Sequence, residues 1–203
     1  MFSGIVETIG KIIDIQMQQG CKVFTIQAAT LLTDLVIGES IAVNGVCLTI
    51  TQFNEHSLKV TAVPETLRLT NLNFLEMTHY VNLERSITPS TRIGGHYVQG
   101  HVDCIGEILA IQQDTSNALL VKISLPQTYS TYLINKGFIA LDGMSITIID
   151  AAKDYFTVTF IPHTQQVTIT KNYTVGSLIN IEVDMMGKYI EKLLKVHTHA
   201  NTV

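Results

Sequence analysis

Two short stretches carry the side chains best suited to chemistry. In "VNGVCLTI" (43–50) a thiol, Cys47, stands two residues before a hydroxyl, Thr49. In "LDGMSITI" (141–148) Ser145 and Thr147 occupy the same places. Period-two alternation puts each pair on one face of a strand. A single Cys, Ser or Thr in a strand is ordinarily a small core residue bonded to backbone. Its recurrence at equivalent places suggests two equivalent pockets. In "GGHYVQGH" (94–101), His96 and His101 are the imidazoles, with Gly100 beside His101. A side chain that titrates near neutrality suits proton transfer at a carbon acid. The five-residue spacing is no helical ligand pair and no carboxylate cluster adjoins it, so a metal site is disfavoured. "PET" and "PHT" supply Glu65, Thr66, His163 and Thr164, which can bond polyol hydroxyls, although Pro-x-Thr is also a plain turn signal. Lys136 and Asp184 are lone charges beside apolar runs, and pattern alone assigns them nothing.

Several familiar solutions are missing. There is no GxxxxGK[ST], no GxGxxG after a strand, no HExxH and no GxSxG. Net charge is -4 and no Lys/Arg run occurs, which argues against nucleic acid or an anionic membrane as partner. Hydrophobic content of 46% against 15% charged allows a well-buried core. No apolar stretch approaches the roughly 20 residues that cross a bilayer, and the first ten residues do not read as a secretion signal. Cys21, Cys47 and Cys104 are odd in number and widely spaced, so a disulfide framework is not expected and a reducing cytoplasm is.

The elements that position these residues are written twice. "VIGESIAVNGVCLTI" (36–50) aligns with "INKGFIALDGMSITI" (134–148) at an offset of 98. The same offset pairs Pro64 with Pro162, Thr66 with Thr164, and "VNLE" (81–84) with "INIE" (179–182). "GIVETIGKI" (4–12) pairs with "GHVDCIGEI" (100–108) at 96. Two homologous domains follow, 1–95 and 96–185. Each half holds about six short Val/Ile/Thr-rich strands between turn signals such as "NG" and "DG", which suits a small closed or Greek-key all-β barrel. In "DMMGKYIEKLLK" Met186, Tyr189, Ile190, Leu193 and Leu194 fall at spacings of 3 and 4, predicting a C-terminal helix with one apolar stripe. The region 186–203 is thus read as an oligomerisation helix followed by a frayed tail, "HTHANTV".

Taken together, "MFSGIVE", "VNGVCLT", "PETLRLTNL", "GGHYVQGHVD", "KGFIALDGMSIT", "IPHT" and "NIEVD" before a terminal helix resemble the riboflavin synthase family, alpha-subunit type, over about residues 1–190. The resemblance implies two six-stranded Greek-key barrels in tandem plus a C-terminal helix, assembled as a homotrimer. It implies a transferase that dismutates two molecules of 6,7-dimethyl-8-ribityllumazine by four-carbon transfer, giving riboflavin and 5-amino-6-(D-ribitylamino)uracil, with no metal or redox cofactor. Association with a lumazine synthase capsid is a partner that the sequence leaves open. Carried over by position, the first pocket would use Phe2, Gly4, Ile5, Val6, Ser40, Cys47, Leu48, Thr49, Thr61, Ala62, Val63, Pro64, Glu65, Thr66, Gly100, His101 and Val102. The second would use Lys136, Ser145, Ile146, Thr147, Ile161, Pro162, His163, Thr164, Gln165, Gln166 and Asp184. In that frame His101 is the leading proton-transfer group and Phe2 joins the catalytic set. Cys47, Ser145 and Thr147 are nucleophile or water-positioning groups, and Asp184 is an orienter or acid/base partner. The site would lie between the N-terminal barrel of one subunit and the C-terminal barrel of its neighbour. Two similar pockets suit a reaction whose two reactants are the same molecule. A competing expectation is an antenna protein of the same fold that holds a chromophore without turning it over. Its second half would be expected to have lost the polar residues that remain here.

Overall fold

A computed structural model describes residues 1–28, 30–114 and 116–200, with side chains described as far as Lys195. Twelve strands form two closed antiparallel barrels. The first contains β1 (Thr8–Gln18), β2 (Cys21–Gln27), β3 (Ser40–Val43), β4 (Val46–Phe53), β5 (Ser57–Ala62) and β6 (Tyr80–Arg85), joined around the barrel in the order β1-β2-β5-β4-β3-β6. The second contains β7 (Cys104–Gln113), β8 (Leu119–Ser124), β9 (Phe138–Leu141), β10 (Met144–Ala151), β11 (Tyr155–Phe160) and β12 (Leu178–Val183), in the equivalent order β7-β8-β11-β10-β9-β12. Pairing β2 with β5 and β3 with β6 requires the long returns of a Greek key.

Alternation builds each barrel. Along β4, Val46, Leu48 and Ile50 are buried while Cys47, Thr49 and Thr51 turn outward. Closing a six-stranded sheet demands sharp bends, and β-bulges supply them at matching places: Ile12/Asp14 and Ile50/Gln52 in one barrel, Ile108/Ala110 and Ile148/Asp150 in the other. Each barrel has its own apolar core, one around Phe24, Ile41, Leu58 and Leu83, the other around Phe156, Phe160, Ile139 and Ile181.

Short helices follow β5 and β11, α1 (Pro64–Leu69) and α2 (Pro162–Val167). Both open on a proline, whose fixed φ suits the first helical turn and whose missing N–H costs nothing there. The turn reading of "PET" and "PHT" is therefore corrected to one and a half turns of helix. The last helix, α3, spans Met185–Ala200, so it continues through part of the segment expected to fray; residues 201–203 lie outside the described residues.

The barrels join through polar turns related by the repeat. Asn44 in the first barrel and Asp142 in the second sit at the equivalent turn, both with positive φ. Asn44 Oδ1 accepts Asn82 N at 2.8 Å, and Asp142 Oδ1 accepts Asn180 N at 2.9 Å. The two asparagines then cross over: Asn82 Nδ2 donates to Asp142 O (3.0 Å) and Asn180 Nδ2 to Asn44 O (2.8 Å). Gly45 and Gly143 meet back to back, and a Cβ on Gly45 would stand 2.4 Å from Gly143 N. Buried amides with both ends bonded specify the seam as apolar contact alone would not.

Candidate functional site

The stretches leading into each barrel cross to the other one. Phe2 and Val98 pair as an isolated antiparallel bridge (Phe2 N to Val98 O 2.8 Å, Val98 N to Phe2 O 3.1 Å). Beyond it, Gly4 O accepts Ser145 N at 2.8 Å and Gly100 O accepts Cys47 N at 2.8 Å. Val6 packs against the second barrel's core and Val102 against the first's. Each barrel therefore borrows one wall from the other half of the chain.

On the first barrel, Ser40 lies opposite Thr49, and Ala42 opposite Cys47. Thr61 neighbours Val60, whose partner is Ile50 beside Thr49. Ser40, Cys47 and Thr61 are half-buried and Thr49 exposed, so they form an outward polar face. Val63, Pro64, Glu65 and Thr66 edge it through the start of α1, with Val63, Pro64 and Glu65 exposed and Glu65 ion-paired to Arg68. Gly100 meets the face through its carbonyl on Cys47 N, and His101 and Val102 follow it in the chain; His101 is exposed, while its backbone N–H is held by Glu182 Oε2 at 2.9 Å. Leu48 and Ala62, proposed as contacts, belong to the core at 6% and 0% exposure.

On the second barrel, Ser145 pairs with Ala140, Ile146 with Ile139 and Thr147 with Phe138. The Ser145 hydroxyl is bonded to His96 Nδ1 at 2.6 Å, and that imidazole stacks on Phe138 with centroids 5.2 Å apart. Burial holds the His96 imidazole below its ordinary pKa, and the nearby Asp184 charge opposes this only in part. A neutral imidazole bonded to a hydroxyl is a base poised on a nucleophile or a water holder. Asp184 also caps α3, accepting Met186 N at 3.0 Å. A cavity of about 290 Å³ opens beside His96, Phe138, Asp184 and Met186. Lys136 is exposed, in the turn before β9; Ile161, Pro162, His163 and Thr164 begin α2. Larger clefts, of about 470 and 790 Å³, are not lined by Cys47, Thr49, Ser145 or Thr147, so volume is a poor guide to the chemistry.

Three expectations change. Gly4, Ile5 and Val6 belong beside Ser145 on the second barrel, not with the first, because the chain crosses over before β1 begins. Phe2 has no exposed surface; its ring lies against Gly100 at the seam, so any effect on reaction is through packing. Gln165 spends its side-chain amide on the carbonyls of Asn117 and Phe160, at 3.0 and 2.9 Å. Gln166 is exposed near the end of α2. Conversely, Phe138 was not among the proposed site residues, and His96, singled out as an imidazole suited to proton transfer, had been assigned to neither pocket. The doubled glycine before His96 was the available signal: at Gly95 a Cβ would stand 2.4 Å from Ser3 O and 2.5 Å from Ser145 Cβ.

The fold and these paired faces define a tandem two-barrel protein with an outward small polar face on each barrel. Comparison with known proteins places it further. The family described as "Lumazine binding domain" matches twice, at residues 3–86 and 99–184. The riboflavin synthase of Schizosaccharomyces pombe is 43% identical over 199 residues, covering 97% of this chain and 95% of that one. That of Bacillus subtilis is 41% identical, covering 96% and 90%. The chain belongs to the riboflavin synthase family. Among solved structures, LumP complexed with riboflavin superimposes with a TM-score of 0.84, and LumP complexed with 6,7-dimethyl-8-(1'-D-ribityl)lumazine with 0.81, each at 22% identity over 91% of this chain. That likeness speaks to fold.

Proposed function

We propose that the protein is a riboflavin synthase that brings two molecules of 6,7-dimethyl-8-ribityllumazine together and transfers a four-carbon unit between them. The products are riboflavin and 5-amino-6-(D-ribitylamino)uracil, so the enzyme is a transferase at the last step of riboflavin formation. One observation carries the reading. Both barrels keep an outward small polar pair at the same register, Cys47/Thr49 and Ser145/Thr147, each bordered by a crossing stretch from the other half, Gly100 at Cys47 and Gly4 at Ser145. The polar residues kept on the second barrel, Ser145, Thr147, Lys136 and Asp184, argue against an antenna protein that only holds a chromophore.

Positioning supplies much of the rate. Two reactants held in register can lower a barrier by on the order of 7 to 11 kcal/mol relative to free encounter. His101 takes a proton from the acidified C7 methyl of one lumazine; the resulting carbanion attacks the second, and a pentacyclic adduct fragments. Cys47 and Ser145 with Thr147 supply a nucleophile or hold water, Asp184 orients the second reactant or serves as its acid/base partner, and Lys136 belongs to the same pocket. No metal or redox cofactor is required by this scheme. The complete site joins the first barrel of one subunit to the second barrel of a neighbour in a homotrimer built on α3. Support for the trimer comes from Met186, Tyr189, Ile190, Leu193 and Leu194, each more than half exposed. The free thiols Cys21, Cys47 and Cys104 suit a reducing compartment such as the cytoplasm.

Incubation with 6,7-dimethyl-8-ribityllumazine tests the reading directly. Riboflavin absorbance should rise at the expense of the lumazine, with one riboflavin for two lumazines consumed. Tight retention of fluorescent lumazine with no riboflavin formed would replace the synthase with a chromophore carrier.

A further inference from the structure

Two carboxylates in the strands that close the barrels, Glu84 on β6 and Glu182 on β12, are buried, at 4% and 3% exposure. Neither makes an ion pair among the described residues. A buried carboxylate is costly unless its lone pairs are met by donors. Here the donors are backbone N–H groups of the crossing stretches. Glu182 Oε1 accepts Gln99 N at 2.7 Å, and Oε2 accepts both Gly100 N and His101 N at 2.9 Å. Glu84 Oε1 accepts Ser3 N and Ser3 Oγ, each at 2.7 Å. The two are not equal: Glu84 Oε2 has no hydrogen-bond partner, although the amides of Gly4 and Ile5 still favour its charge.

The peptide that Glu182 grips is also the one that closes the first barrel's face. Gly100 gives its N–H to Glu182 and its carbonyl to Cys47 N. His101 follows at once. Asp103 continues the same clamp, accepting Val183 N at 2.9 Å and pairing with Lys188 at 2.7 Å. A side chain on the second barrel thus fixes the His101 backbone, one residue along the chain from the Gly100 carbonyl bonded to Cys47 N. We infer that Glu182 is a positioning residue for the first barrel's reaction, holding His101 in place through its three backbone bonds. This rests on the proton-transfer reading of His101.

Chemistry makes the role specific to a carboxylate. Three donors converge on two oxygens, and only an acceptor-only group satisfies all three. In Glu182→Gln the amide NH2 would face an N–H, so at least one bond is lost and the stretch shifts. Displacement of a catalytic group by even about 1 Å can cost on the order of 100-fold in rate. In Glu182→Asp the carboxylate is retained but withdrawn by one methylene, so a smaller loss is expected.

A double-substitution cycle tests this. Steady-state turnover and lumazine dissociation constants would be measured for the parent, Glu182→Gln, His101→Gln and the double variant. Glu182→Gln should lower kcat about 10- to 100-fold and leave lumazine dissociation within about threefold. The double variant should be no slower than His101→Gln alone, because both changes remove one function. Losses that multiply in the double variant, with the parent active, would overturn the role of Glu182 and leave His101 standing. An inactive parent would remove the reading of His101 and this proposal with it. Should Glu182→Gln not fold, Glu182→Asp carries the same cycle. Amide hydrogen exchange in the parent gives a further check. The Gly100 and His101 amides should exchange slowly although the His101 side chain is exposed, and fast exchange at both would refute the clamp.

Discussion

Lys136 holds a backbone conformation that its side-chain type disfavours. Its φ is +69°, where the equivalent turn of the first barrel has Gly38 at +95°. Both turns make the same bond, Lys136 N to Ile148 O at 2.8 Å and Gly38 N to Ile50 O at 2.9 Å, so glycine fits that place and lysine strains it. A strained residue that persists suggests use. Lys136→Gly should stabilise the fold by about 1 kcal/mol, raising Tm by about 2–4 °C, while lowering turnover. A more stable variant with full activity would leave Lys136 without a role. Asp142 offers a second test. It is 1% exposed and bonded to Asn180 N, Asn71 Nδ2 and Tyr173 OH, yet burial pushes its pKa up to about 7. The folded carboxyl therefore keeps a proton that the unfolded chain releases near 3.8. Between about pH 4 and pH 7 the folded state binds the extra proton, so its contribution to stability is full below that window and is lost as pH rises through it. Asp142→Asn should flatten this slope and be more stable than the parent above pH 7, by on the order of 2 kcal/mol. Asparagine is already in use at the equivalent Asn44, and its NH2 can donate to a rotated Tyr173 hydroxyl. Urea unfolding at pH 5 and pH 8 reads the difference; identical slopes in parent and variant would sink the assignment.

Turns rather than strands decide how the elements meet. Gly45 has φ of +73° and faces Gly143 backbone at a distance no Cβ tolerates, whereas a Cβ on Gly38 would meet open space. Gly45→Ala should cost about 3 kcal/mol, or roughly 6–12 °C in Tm, and Gly38→Ala only about 1 kcal/mol for its φ. Equal losses in calorimetry would show that the back-to-back contact is not what the glycine serves. The strands themselves were legible beforehand, because a doubled alternating pattern with "NG" and "DG" turns leaves little freedom. α1 and α2 were not, since six residues carry no helical period. Such short helices persist through packing, as Leu67 does at 8% exposure, and not through propensity. The site was half legible. Cys47, Thr49, Ser145 and Thr147 announced themselves by repetition. The crossing of Gly4–Val6 onto the second barrel did not, because Gly4 and Val6 meet partners about 140 residues away in the chain (Ser145 and the second core), which no local pattern reveals. His96 could be seen, but its partner lies 49 residues away and no spacing rule connects them.

At the scale of the whole molecule, α3 is turned the unusual way round. A surface helix normally lays its apolar stripe on its own domain. Here the polar edge faces home: Lys188 pairs with Asp103, Tyr132 OH bonds Glu191, and Gly187 lies close against Tyr132. Met186, Tyr189, Ile190, Leu193 and Leu194 point outward, 53–62% exposed. Covering such side chains is worth about 1.5–3 kcal/mol for each one fully buried, which favours their association with copies of themselves. The trimer proposed above meets that need, and it would bring one subunit's Cys47 face toward a neighbour's Ser145 face. Placing carboxylates in the stripe, as Ile190→Glu with Leu193→Glu, should break the assembly without touching either barrel core. The mass by light scattering should fall from about three times 22.4 kDa to one. Lumazine binding at the separate barrels should survive in part, because each face is built within a single chain. Turnover should nearly vanish, because the second reactant is then held on no neighbour. A monomeric variant with undiminished turnover would place both reactants within one chain, and the need for a partner subunit would go.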